Sequence, residues 1–82
     1  MRLEKRLQAR RHTMIEAEIV FREGRSRVAC IIRNLSAYGA KLEVASVAGI
    51  PQSFDLLAPG RPARSCRVVW RTLRELGVDF RN

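Results

Sequence analysis

A small six-stranded antiparallel β-barrel is the fold this sequence predicts, and three observations predict it. Six short runs alternate apolar with polar residues, turn-forming residues recur about every ten positions, and no convincing helical period lies between the runs. Closing six strands into a barrel also removes the exposed edges that an open sheet would leave. The 82 residues make one domain, with 1–14 read as a basic arm and 15–82 as the barrel.

In the arm, Arg2, Lys5, Arg6, Arg10 and Arg11 stand against Glu4 alone, a net +4 out of the +8 of the whole chain. Neither Gly nor Pro interrupts it, so a flexible arm or one short helix is expected there. From Glu16 the period becomes two. Ala17, Ile19 and Phe21 share one strand face, opposite Glu16 and Glu18. Glu23-Gly24-Arg25-Ser26 then supplies a hairpin turn. The run 27–33 puts Val28, Cys30 and Ile32 inward, and the run 40–44 does the same with Ala40, Leu42 and Val44. Gly49 and Pro51 break the pattern before a short strand over 53–57, which ends ahead of Pro59-Gly60-Arg61-Pro62. Cys66, Val68 and Trp70 alternate with Arg67 and Arg71, and after a turn near 72–74 Leu76, Val78 and Phe80 alternate with Asp79 and Arg81. The expected core is Ile19, Phe21, Val28, Cys30, Ile32, Leu42, Phe54, Leu56, Val68, Trp70, Val78 and Phe80.

Composition narrows the function. With 46% apolar and 29% charged residues the chain is globular, and no apolar run approaches the roughly 20 residues that span a bilayer. A cytoplasmic location without membrane insertion is expected, since the N-terminus carries no apolar secretory stretch. Cys30 and Cys66 lack metal-ligand spacing and His12 is isolated, so neither a metal site nor a cofactor is expected. No nucleophile, base or paired carboxylates can be assembled, and no enzyme is expected. The basic excess, fourteen of its sixteen residues arginine, points to an anionic partner, because the planar guanidinium binds phosphate or a guanine edge through two hydrogen bonds.

The connection Asn34-Leu35-Ser36-Ala37-Tyr38-Gly39 lies between two predicted strands, where binding residues collect. By itself it reads as a tight turn. Asn34 and Ser36 can bond to local backbone or to a ligand, and Gly39 allows a positive φ or close backbone approach.

Arg6-Leu7-Gln8-Ala9-Arg10, then one hairpin, then Asn34-x-Ser36-x-x-Gly39 between strands of a small barrel resembles the PilZ domain family. The ending Arg67-Val68-Val69-Trp70 followed by Leu76-Gly77-Val78-Asp79-Phe80 is similar to the last hairpin of those domains. The resemblance implies a bacterial receptor for the second messenger cyclic di-GMP, held between Arg6 and Arg10 on the arm and Asn34, Ser36 and Gly39 on the barrel. Lys5 and Arg11 are possible additional contacts, Lys5 at the position that bears on whether one or two ligand molecules bind. Trp70, expected in the core, has a stacking wall as its second reading. Many such domains continue into a helix after the last strand, whereas this sequence ends at Asn82, so the implied output is relay to a separate effector protein by rearrangement of the arm. Two alternatives stand beside this reading. One is a PilZ-like adaptor that binds protein without ligand. The other is a small basic nucleic-acid-binding barrel, disfavoured because only five aromatic residues are present and most alternate inward.

Overall fold

The computed structural model describes residues 11–81, Arg11 by its backbone. Among these residues there is no helix, and therefore none long and apolar enough to cross a membrane. Six antiparallel strands form the fold: β1 (Arg11–Phe21), β2 (Ser26–Leu35), β3 (Gly39–Glu43), β4 (Ser53–Leu57), β5 (Arg64–Arg71) and β6 (Glu75–Phe80). They close in the order β1-β2-β3-β6-β5-β4, with β1 returning to β4 through Glu18 opposite Leu57, Ile19 opposite Leu56 and Val20 opposite Asp55. β1 begins at Arg11, so residues 11–14, expected in the arm, belong to the barrel wall. The remainder of the expected arm lies outside the described residues.

Alternation builds the core. Ile19, Ile32, Leu42, Leu76 and Cys66, one from each of five strands, are fully buried, and β4 adds Phe54 and Leu56. Full burial of each large aliphatic side chain contributes roughly 1.5–3 kcal/mol. Phe21, Val28 and Phe80 are partly buried against this cluster, and the Arg64 guanidinium lies 4.0 Å from the centre of the Phe80 ring. Ile50, in the irregular β3–β4 connection, was outside the expected core but is buried. The connection is held onto the β5–β6 hairpin by backbone bonds: Val44 N–H donates to Arg74 O, Val47 N–H to Leu73 O, and Val68 N–H to Gln52 O. Arg71 donates to Ile50 O at 3.0 Å, closing that end of the barrel.

Trp70 departs from expectation: it is 43% exposed and outside the core. Its strand carries a β-bulge, since Val68 pairs with Val78 but Trp70 pairs with Gly77, leaving Val69 as an extra residue. An extra residue reverses which face the following side chains take. A second bulge on β2 leaves Arg33 over between Ile32, paired with Leu42, and Asn34, paired with Lys41. A third irregularity sits on β1, where Thr13 and Met14 together oppose Arg33. The Thr13 hydroxyl donates to Ile32 O, tying the first irregularity to the second.

The β1–β2 turn places three successive residues in the left-handed region, Arg22 at φ 55°, Glu23 at 56° and Gly24 at 87°, closed by Arg25 N–H donating to Arg22 O at 3.0 Å. A glutamate is strained there, whereas asparagine tolerates the conformation. Glu23→Asn is expected to stabilise the barrel by about 0.5–1 kcal/mol, read as a raised urea midpoint at unchanged slope.

Burial pushes the Cys30 and Cys66 thiols up from 9.0 to about 12, with Glu18 adding to the shift at Cys30 and Arg64 opposing it at Cys66. Each folded thiol therefore keeps its proton after the unfolded chain has released it. Stability is expected to be intact below the unfolded thiol pKa and to fall as pH rises above 9 towards 12. Urea midpoints followed through alkaline pH check this, and a midpoint that does not fall in that window contradicts it.

Candidate functional site

The bulges assemble a row of residues across the outer face of the barrel. His12 on β1 stands opposite Asn34 on β2, Asn34 opposite Lys41 on β3, Lys41 opposite Gly77 on β6, and Gly77 opposite Trp70 on β5. Without the β2 bulge, Asn34 would follow Val28, Cys30 and Ile32 into the core, where a side-chain amide is costly. With it, Leu35 takes the inward position and packs on the core, and Asn34 faces outward.

Asn34 is nonetheless only 9% exposed, and its Oδ1 is buried with no hydrogen-bond partner among the described residues. An unsatisfied buried acceptor costs about 1–3 kcal/mol, so the site holds an unmet demand for a donor. The amide lines a cleft of about 160 Å³ whose walls include Ser36, Tyr38, Trp70 and Gly77, with Lys41 and Asp79 at its edges.

Ser36 organises the cleft's loop. Its Oγ accepts from Tyr38 N–H at 3.2 Å and Gly39 N–H at 3.3 Å, while its own N–H donates to Gly39 O at 3.0 Å. The connection is thus a tight serine-stabilised turn, and at the same time one wall of the cleft. Gly39 serves through close approach: a Cβ there would lie 2.2 Å from Val78 O. Gly77 serves the same purpose for Trp70, whose indole lies flat where a Cβ would stand, 2.1 Å from Nε1. Tyr38, 66% exposed, and Trp70 give the cleft two aromatic walls.

Of the residues expected to bind ligand, Asn34, Ser36, Gly39 and Trp70 come together in this cleft. Lys5, Arg6 and Arg10 lie outside the described residues, as does the side chain of Arg11. The Arg11 backbone pairs with Leu35, so the basic segment joins the barrel beside Ser36. Sequence reasoning missed Tyr38, Lys41, Gly77 and Asp79. The available signal was a polar residue, Asn34, at a core-parity position, which only an outward turn of the strand reconciles with burial. Among the described residues no cluster of metal-ligating side chains occurs. No protein-family model matches the chain, and no curated protein matches it significantly.

The two glycines give a test of this geometry. Gly39→Ala presses a methyl group into β6 backbone and is expected to cost about 1–3 kcal/mol or more. Gly77→Ala meets a movable indole, so it is expected to leave most stability intact and to red-shift the emission of Trp70, the single tryptophan. Denaturation and fluorescence on the two variants separate the cases.

Proposed function

We propose that this chain is a receptor for cyclic di-GMP, bound between the basic N-terminal segment and the Asn34–Gly39 cleft, and that it relays the signal to a separate effector protein. The observation that carries the reading is the buried, unpartnered Oδ1 of Asn34 in an aromatic-walled cleft at the point where the arginine-rich segment joins the barrel. A guanine offers ring N–H and amino donors to such an acceptor and a flat face to Trp70. Two phosphates call for the guanidinium groups that Arg6 and Arg10 carry. The motif pair Arg6-x-x-x-Arg10 and Asn34-x-Ser36-x-x-Gly39, in the order seen in PilZ domains, supports the same ligand. Binding by a segment and a rigid wall supplies the relay, because ordering the segment changes the surface offered to an effector. No catalytic step, metal or cofactor enters this mechanism.

Calorimetric titration with cyclic di-GMP is expected to give a micromolar or tighter dissociation constant and to quench Trp70 emission, with both signals lost in Arg6→Ala/Arg10→Ala. Asn34→Ala is expected to weaken binding about tenfold or more while leaving the unliganded barrel at least as stable as before, because the methyl group removes an unsatisfied acceptor. Absence of heat with the native chain at millimolar concentration rules the reading out. The exposed Leu73, at 85%, and Val69, at 59%, favour a second reading, a protein-binding adaptor whose capture of a partner is indifferent to cyclic di-GMP.

A further inference from the structure

The cleft at Asn34 continues, across Asn34 and Lys41, into a groove of about 820 Å³ on the outer face of β1, β2 and β3, bounded by the β5–β6 turn. Cations outnumber carboxylates in this groove by three to two. Arg33, Lys41 and Arg74 line it with His12, against Glu43 and Glu75, and the Thr13 and Thr72 hydroxyls lie along its sides. Two of the cations are held only at the surface: Arg33 is 2.9 Å from Glu43, and Lys41 is 3.7 Å from Glu75, with side chains between a third and a half exposed. Such pairs contribute little and rearrange readily. Arg74 makes no ion pair among the described residues, and its backbone carbonyl accepts from Val44 N–H, which fixes the turn that carries it.

The cleft alone, at about 160 Å³, is smaller than the roughly 300–1,000 Å³ typical of small-molecule sites. Cleft and groove share Asn34, whose Oδ1 is the one buried side-chain polar atom without a partner among the described residues, so they form one extended surface with two chemistries: aromatic walls on one side and cations on the other.

We infer that the groove is a phosphate subsite, in which Lys41 and Arg74 bind the phosphodiester of a ligand whose base occupies the Asn34 cleft. The inference rests on the proposed nucleotide reading for the cleft and adds residues of β3 and of the β5–β6 turn to it. Lys41 shifts from Glu75 to the phosphate, Arg74 supplies a charged donor, and Asn34 stays at the junction. Glu43 keeps Arg33 oriented along the groove wall, and the nearby Glu75 carboxylate opposes the anion.

The test uses the full chain and two probes. In an amide NMR titration with inorganic pyrophosphate, residues 12, 41 and 72–75 are expected to shift while Arg25, on the distant β1–β2 turn, does not; shifts equal at both places overturn the subsite. With cyclic di-GMP, Arg74→Gln is expected to weaken binding about tenfold and Glu75→Gln to tighten it, at unchanged thermal midpoints. Native affinity in Arg74→Gln overturns the subsite and leaves the cleft reading standing. Failure of the native chain to bind cyclic di-GMP, with pyrophosphate shifts still confined to the groove, overturns the cleft reading instead.

Discussion

Three β-irregularities at one level of the barrel, on β1, β2 and β5, are the constraint on which the rest of the structure depends. Each inserts one extra residue relative to a neighbouring strand; on β2 and β5 the side chains beyond it change faces, whereas on β1 the alternation runs unbroken from Ile15 to His12. The result is a barrel in which β3 and β6 obey plain alternation throughout while β2 and β5 turn over at one level. Asn34 and Trp70, both at positions that would otherwise enter the core, are brought to the same outer row through Lys41 and Gly77. Leu35 turns inward in exchange, so the apolar interior stays continuous.

That arrangement costs stability at one point and opens a cleft there. A barrel this small depends on modest core burial, and an unpartnered buried amide is a large fraction of its margin. The expense is confined to the rim. Ser36 satisfies the backbone of its own turn, Gly39 packs directly on β6, and Gly77 gives Trp70 a flat seat, so the cleft's walls are fixed while its central acceptor is left open. Fixed walls around an unmet hydrogen-bond demand are what a pre-organised binding surface requires, because little ordering remains to be done when a ligand arrives.

Charge supplies the complementary part. The chain carries +8, and the described carboxylates are partly engaged, Glu18 with Arg27, Glu43 with Arg33 and Glu75 near Lys41. Surface pairs of this kind hold cations in place without removing them from use. In the proposed scheme the barrel provides shape, the base-recognising acceptor and one set of cations, and the N-terminal segment provides the other. A change of segment position on binding is then the physical form of the signal.

The strand alternation, the turn residues and the lack of a helical period were enough to determine the closed six-stranded barrel, because period-two burial is a local property that each run states by itself. Most of the core followed, from Ile19 through Val78, and so did the turn at Asn34 to Gly39. The chain's charge and its Arg6, Arg10, Asn34, Ser36 and Gly39 pattern were likewise legible, as chemistry without placement. What only the tertiary structure decided was parity beyond the irregularities. Whether Trp70 is core or wall, whether Asn34 is buried inside or facing a cleft, and which of Tyr38, Lys41, Gly77 and Asp79 stand beside it all depend on an extra residue whose location is set by pairing with a neighbouring strand. Val69 and Arg33 look like ordinary members of their alternating runs; only β6 and β3, lying alongside, show them to be the residues left over.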